Sequence, residues 1–465
     1  MEQKIDLVFN AQQLHKYTLR KSNVSERILK LKALKKAIEK HEEQLYTALY
    51  SDLQKSKFES AVTELIFSYA ELDFAIKHLS RWMKPRYIGK TFSNPFSTNR
   101  IYYEPKGVCL IIAPWNYPFQ LVISPLISAI AAGNCVMVKP SELSSATSTV
   151  VKSILSEAFE EKEVACFEGD AGVSTALLSL PFDHIFFTGS TEIGKVVMAA
   201  ASKHLSSVTL ELGGKSPTII DKEVNLAKAA EKIAWGKLVN SGQTCIAPDY
   251  IFVHQQQLDE FIGLYKAATE KLFFTNQKID SSSYGKIISP KHFTRLKSLV
   301  EEAVNGGARI AIGGTFDEQN QRIHPIVLTQ IPAGAKIMEE EIFGPILPVI
   351  VYENLEDVID QINSKSKPLA LYIFSNNKSN INKIMKSTSA GGTCINDVLI
   401  HISNPKLPFG GVNGSGMGSS HGFFGFKTFS HERAVVFQSK IDFNRLVYPP
   451  YIGKEWVLKI LKKIM

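Results

Sequence analysis

Between residues 107 and 214, five short apolar stretches alternate with segments of helix length. GVCLIIAP, NCVMVKP, VACFEGD, DHIFFTGS and SSVTLELGG largely lack the polar–apolar alternation of a half-exposed strand. Strands that are apolar on both faces need cover on both sides. That predicts βαβ units and a parallel sheet flanked by helices, an α/β fold of Rossmann-like type. NYPFQLVISPLISAIAAG, SELSSATSTVVKSILSEAFE, AGVSTALLSL and TEIGKVVMAAASKHL supply the helices; Gly133 ends the first and serines cap the second. Ligands of such sheets gather at the carboxyl ends of the strands, so residues there are the first candidates for chemistry.

The flanking regions read differently. Ile28, Leu31, Leu34, Ile38, Leu45 and Leu49 recur at helical spacing, so the first eighty residues are predicted helical. Residues 85–98 are rich in Pro and Ser and read as a linker or an excursion from the core. A second α/β block follows the first. Its helix over LAKAAEKIAWGKLVN runs into the polar loop SGQTC, and strands are predicted at DYIFVH, ARIAIGG and ILPVIVYE. Helices are predicted at LDEFIGLYKAATEKLF and HFTRLKSLVEEAVNGG. Near 408 the chain turns Gly-rich, and a polar, aromatic stretch runs to about 436. At roughly 150 residues per domain, 465 residues make two or three domains.

Composition excludes several classes. Hydrophobic residues at 45% and charged residues at 21% are ordinary globular usage, which argues against disorder, coiled coil and collagen. The net charge of +8 is spread too thinly over the chain to suggest nucleic acid as a partner. Five cysteines without a CxxC pair argue against a disulfide scaffold, a zinc ribbon or a thioredoxin motif; no metal site is expected, and a reducing, cytoplasmic setting is. The opening residues lack a signal-peptide apolar region, and no uncharged apolar run reaches the roughly 18 residues that suggest a membrane span.

Three residues stand out as chemical candidates. Cys109, Cys135, Cys166 and Cys394 lie in strand-like context and read as small buried hydrophobes. Cys245 instead occupies a polar turn at a helix end, where partial exposure and a setting that favours thiolate would make it a nucleophile. Glu211 ends the strand VTLE before Gly213 and Gly214; it either points to solvent or serves as a base whose pKa an apolar setting raises. Asn116, in PWNYP after the first sheet strand, either donates to an oxyanion or caps a helix.

Cofactor signals are weaker singly. Gly189, Ser190 and Gly194 follow a strand and open a helix, a setting for phosphate, although the second glycine of GxGxxG is missing. GSGMG at 414–418 follows no apolar strand and does not read as a phosphate loop. Lys139 and Glu142 end a sheet strand, where they either meet ribose hydroxyls or form a surface ion pair.

Together these segments resemble the aldehyde dehydrogenase superfamily. APWNYP, AGNCVMVKPSE, FTGSTEIGK, LELGGKSP, GQTCIAPDY, EEEIFGP and PFGGVNGSGMG occur in the family's order and spacing from about residue 20 to 440. The short N-terminal region, GQTCIAPDY and SSHGFFGFKTFSHERAV resemble the class 3 branch, which includes fatty and aromatic aldehyde dehydrogenases. The resemblance implies Cys245 as nucleophile, Glu211 as general base and Asn116 as oxyanion donor. It implies Lys139 and Glu142 at the adenosine ribose, Gly189, Ser190 and Gly194 at the pyrophosphate, Glu341 at the nicotinamide ribose and Phe343 beside the nicotinamide. Tyr117, Leu121, Trp235 and Val239 match positions near the substrate tunnel, with ordinary core packing as the alternative for each.

The expected activity is NAD(P)-dependent oxidation of a medium- or long-chain aliphatic aldehyde, or an aromatic one, to the acid. It would run through a thiohemiacetal and a thioester on Cys245. A carboxylate at Glu142 favours NAD over NADP, Lys139 pulls the other way, and NAD with NADP tolerated is the expectation. The expected division assigns 1–82 and 106–211 to cofactor binding and 212–405 to catalysis. It leaves 83–105 and 406–440 as a bridging element of a homodimer, and 441–465 as a tail. In that tail Trp456, Val457, Ile460, Leu461 and Ile464 share one helical face against Lys459, Lys462 and Lys463. Such a helix can lie on a membrane surface, pack on its own protein or cover the substrate entrance. An acylating enzyme that passes the thioester to coenzyme A, a cysteine hydrolase and a non-catalytic relative are the rival readings. An intact Glu211 weighs against the first, the lack of a His in a comparable strand-end motif and an idle nucleotide-binding half against the second, and retention of Cys245, Glu211 and Asn116 against the third.

Overall fold

A computed structural model of the chain describes residues 1–91, 96–440 and 444–464, without the side chains of 444, 461 and 464. Three sheets organise it. The first runs in the order Gly416–Met417, Ser207–Glu211, His184–Thr188, Val108–Ile112, Cys135–Lys139, Val164–Cys166. Its pairings are parallel except that of Gly416–Met417, which lies antiparallel to the strand ending in Glu211.

The central strand Val108–Ile112 explains the missing alternation. Cys109 and Ile111 pack into one apolar core with Leu126 and Val151, whereas Val108, Leu110 and Ile112 pack into another with Ile5 and Phe9. Successive side chains of a strand face opposite ways, so a strand buried between two helical layers must be apolar throughout. One layer includes Gln120–Ala132, closed by Gly133 at φ +89, a left-handed cap that costs glycine little. The predicted serine cap is partial: Ser141 caps a short 3₁₀ turn, whereas Ser144, at the head of Ser145–Ala158, makes no side-chain cap bond.

The second sheet has seven strands in the order Arg309–Ile312, Ile326–Thr329, Ile346–Tyr352, Tyr250–His254, Pro217–Ile220, Ala370–Phe374, Gly392–Ile395. Four of these, at 217–220, 326–329, 370–374 and 392–395, are not expected from the sequence, although the equally short Arg309–Ile312 and Tyr250–His254 are. The third sheet joins Arg86–Ile88, Thr98–Pro105 and Ser430–Phe437, the last two paired antiparallel over eight residues. The 85–98 break therefore carries a strand, although 92–95 lie outside the described residues.

The N-terminal helices form as their periodicity predicts, over Glu2–Arg20, Val24–Lys40, Glu42–Leu53 and Ile66–Trp82. A π-helical turn, Ala61–Leu65, precedes the last of these. The tail forms a helix over Glu455–Ile464. Trp456 and Ile460 are exposed on it, but Val457 is buried, so the predicted apolar face is split. The Leu461 and Ile464 side chains lie outside the described residues. Among the described residues no helix is long and apolar enough to cross a membrane.

Candidate active site

Glu211 leaves the first sheet at its carboxyl end and is buried rather than turned to solvent. Its Oε1 accepts a hydrogen bond from the Ser420 hydroxyl at 3.0 Å, and its Oε2 is buried with no partner. Burial raises its pKa to about 8, against a small opposing effect of the Ser420 bond.

Cys245 follows the helix Leu226–Leu238 and a tight turn in which Asn240 and Ser241 both adopt left-handed backbone, at φ +52 and +54. The turn reverses the chain and puts the thiol, partly exposed, in the wall of the same cavity that Glu211 lines. The setting does not favour thiolate in the resting chain. Burial first, then the nearby Glu341 and Glu211 carboxylates, push the Cys245 pKa up to about 12, opposed by the backbone N–H groups of Cys245 and Ile246. Those two amides lie beside the sulfur, where an oxyanion on its adduct would form.

Asn116 does not cap the helix that follows; Phe119 is the cap residue. Its side chain is buried and its Nδ2 donates to the Gln243 carbonyl at 3.0 Å, two residues before Cys245. That bond uses one of the two amide N–H groups and leaves the second.

The cavity is about 240 Å³ and mostly apolar. Tyr117, Leu121, Trp235 and Val239 all line it. Trp235 is 42% exposed, so it is no ordinary core residue, and Val62 and Ile400 share the wall and are also exposed. Tyr117 bonds to Thr244 through its hydroxyl at 2.7 Å. Phe409 lies in the motif PFGGVNGSGMG and Ser420 and His421 in SSHGFFGFKTFSHERAV, but none of the three is a site candidate from the sequence. They lie in the wall because the Gly-rich loop adds Gly416–Met417 to the sheet edge opposite Glu211 and Leu210. His421 stacks on Phe409 at 5.2 Å, and no sequence signal short of the pairing itself would reveal it.

The remaining candidates gather at the carboxyl ends of the first sheet. Ser190 caps Thr191–Ser202, its Oγ accepting from Ile193 N at 3.4 Å. Gly189 and Gly194 have no room for a Cβ, which would meet Phe187 at 2.5 Å and Leu212 at 2.7 Å respectively. Lys139 is buried and paired with the half-exposed Glu142 at 2.7 Å. Glu341 rests on the Gly213–Gly214 backbone: a Cβ on Gly213 would lie 2.0 Å from its carboxylate, and Gly214 N–H donates to it. Burial, then Asp249, raises its pKa to about 8. Phe343, at φ +55, meets Trp115 edge-on at 5.4 Å. An open helix N-terminus for pyrophosphate, a Lys–Glu pair for ribose hydroxyls and a carboxylate near the thiol make up a donor set that fits a dinucleotide.

A parallel α/β sheet with a dinucleotide-type donor set, ending on a cavity shared by a cysteine and a buried glutamate, is the architecture of a pyridine-nucleotide oxidoreductase. The profile of the aldehyde dehydrogenase family matches residues 2–435, and the chain belongs to that family. It is class 3-like, and it oxidises aldehydes with NAD(P) as the family does. It is similar to the 4,4'-diaponeurosporen-aldehyde dehydrogenase of Staphylococcus aureus, 43% identical over 98% of this chain and 97% of that protein. The dimeric NADP-preferring aldehyde dehydrogenase of Rattus norvegicus is 42% identical over 92% of this chain and 94% of that one. The substrate-bound structure of Staphylococcus aureus AldH superposes with a TM-score of 0.94 at 41% identity, covering 98% and 99% of the two chains.

Proposed function

We propose that Cys245 is the nucleophile of this oxidation and that its aldehyde is long and apolar. The observation that carries the reading is the shared cavity, which joins the thiol and Glu211 to an apolar tunnel. The Cys245 sulfur adds to the aldehyde carbon, forming a C–S bond as the carbonyl oxygen becomes an oxyanion. The second Asn116 N–H and the Cys245 amide stabilise that charge; one such donor contributes about 3 kcal/mol. Glu211 accepts the thiol proton, passes it to solvent and later accepts a proton from the water that cleaves the thioester. When bound, NAD(P) would supply the hydride acceptor that this oxidation requires. Lys139 and Glu142 would hold its adenosine ribose, Gly189, Ser190 and Gly194 its pyrophosphate, and Glu341 and Phe343 its nicotinamide end. Tyr117, Leu121, Trp235 and Val239 shape the tunnel, and the exposed rim at Val62 and Ile400 extends it toward a longer tail. The Staphylococcus aureus relative, named for 4,4'-diaponeurosporen-aldehyde, supports that choice.

NADH or NADPH formation from an aldehyde panel tests the reading. Cys245→Ala should abolish turnover by more than about 1,000-fold while leaving the fold intact. A variant that still turns over would overturn it.

The assignment extends to organisation. Residues 1–82 and 106–211 make the cofactor-binding unit, 212–405 the catalytic unit, and 83–105 with 406–440 the bridging element of a homodimer. Support for the dimer comes from Ser430–Phe437, an edge strand with Val436 and Phe437 exposed. The tail attaches reversibly to an anionic membrane surface: Trp456, Leu458 and Ile460 are exposed beside Lys459, Lys462 and Lys463. Five free thiols suit a cytoplasmic setting.

A further inference from the structure

Beneath Asn116 lies a buried ion pair that the reaction does not use. Lys55 and Glu64 are 1% and 0% exposed, and Lys55 Nζ meets Glu64 Oε1 at 2.7 Å. Two charges taken out of water are costly to keep unless further partners satisfy them. Here every further hydrogen-bond partner belongs to the segment that carries Asn116, and the nearby Glu59 carboxylate also interacts with Lys55. Glu64 Oε2 accepts from the backbone N–H groups of Phe119 and Gln120, each at 3.0 Å. These amides open the helix Gln120–Ala132, whose own cap residue makes no side-chain bond and whose first turn holds no acid. Glu64 thus caps a helix it does not belong to, with a charge at the end where charge of that sign is favourable. Lys55 Nζ also donates to the Asn116 carbonyl at 3.3 Å and lies 4.2 Å from the Tyr117 ring centroid.

The same carbonyl ties this pair to the cysteine loop. Asn240 Nδ2 donates to Asn116 O at 2.8 Å and to Gln243 O at 3.1 Å, while Asn116 Nδ2 donates to Gln243 O. Glu59 Oε1 accepts from Asn240 N at 2.8 Å, holding the left-handed turn from the N-terminal side. Glu59 and Glu64 come from a stretch that passes from α to π winding at Ala61–Leu65. Such a turn carries one extra residue and rotates the side chains that follow it.

We propose that Lys55 and Glu64 are positioning residues of the oxidation: they fix the Asn116 backbone so that the free amide N–H of its side chain faces the oxygen of an aldehyde bound at Cys245. This rests on reading Asn116 as the oxyanion donor. A geometric error of about 1 Å at such a donor costs up to a hundred-fold in rate, so a pair that touches no substrate can still govern turnover.

The test is a cycle of variants. Lys55→Met alone strands a buried carboxylate and risks misfolding, so the pair is replaced together as Lys55→Met/Glu64→Gln, with Lys55→Arg as the conservative control. The double replacement should lower kcat about ten-fold or more with KM within about two-fold and the melting temperature little changed; Lys55→Arg should restore part of the rate. Placed on Asn116→Ala, the same replacement should cost nothing further, because the donor it positions is gone. An equal fall in kcat with and without Asn116, or no fall at all, overturns the positioning role. If Asn116→Ala by itself leaves kcat unchanged, the oxyanion reading fails first, and that single variant identifies the failure.

Discussion

The Ser420 hydroxyl donates to Glu211 Oε1 at 3.0 Å, and it comes from the far end of the chain, 209 residues along. Among the described residues it is the one hydrogen-bond donor to this carboxyl, whose second oxygen is buried without a partner among them. The bond orients the acid toward the cavity while burial keeps it protonated to about pH 8. Four predictions on the site and one on the tail follow from the geometry.

Replacing Glu211 by Gln should remove the acidic limb of the pH–rate profile. A base must be ionised to act, so activity should rise through about pH 8 in the native chain. Glu341, with a pKa near 8, acts on Cys245, whose own is about 12, so the limb belongs to Glu211 only if the Gln variant loses it. The stability effect runs the other way. The folded pKa lies above the unfolded value, so the folded form binds the extra proton between roughly pH 4.5 and 8, and stability falls as pH rises across that window. Glu211→Gln should therefore raise the melting temperature at pH 8 and leave it unchanged near pH 4. An unchanged melting temperature at both pH values would count against a buried carboxyl with a raised pKa.

Ser420→Ala should move that limb to higher pH. The lost bond favours the ionised form, so its removal raises the Glu211 pKa further. A hydrogen bond worth about 1 kcal/mol corresponds to a several-fold loss of kcat/KM at pH 7, recovered at pH 9. A pH-independent loss would point instead to a packing role.

Glu142→Gln should shift cofactor choice. Its carboxylate is half-exposed beside Lys139, and at the ribose site proposed for it would repel a 2′-phosphate and accept from a 2′-hydroxyl. Initial rates should show the NADP-to-NAD ratio of kcat/KM rising about ten-fold, since Lys139 is left unopposed. A ratio that stays put would remove Glu142 from the ribose site.

Val62→Ser and Trp235→Ala should penalise long aldehydes selectively. Both side chains line the tunnel and are exposed at its rim. Each lost large apolar contact is worth about 1.5–3 kcal/mol. The fall in kcat/KM should be about ten-fold or more for a sixteen-carbon aldehyde and slight for propanal. Equal losses at both lengths would mean that the rim does not meet the substrate.

Truncation after Pro450 removes the helix Glu455–Ile464. In sedimentation with anionic liposomes the full chain should pellet and the truncated one should not, and raised salt should release the full chain. Identical partitioning would dismiss the membrane contact.

Local pattern carries far in this chain. Five apolar stretches between 107 and 214 are enough to predict a doubly covered parallel sheet, because burial on both faces of a strand is written into every residue along it. Cys245 in a polar turn and Glu211 at a strand end are distinguishable from their neighbours for the same local reason. Four strands of the second sheet are recognised only by the strands they pair with, as is the edge strand in GSGMG through Leu210 and Glu211.

What tertiary structure alone decided is which polar atoms meet. Ser420 reaches Glu211, and Lys55 with Glu64 reaches under Asn116, across sequence separations on which neither helical nor strand period bears. Burial first, then the Glu341 and Glu211 carboxylates, both distant in sequence, push the Cys245 pKa up. Periodicity records which side of an element faces the interior; the contacts made inside depend on how the elements pack.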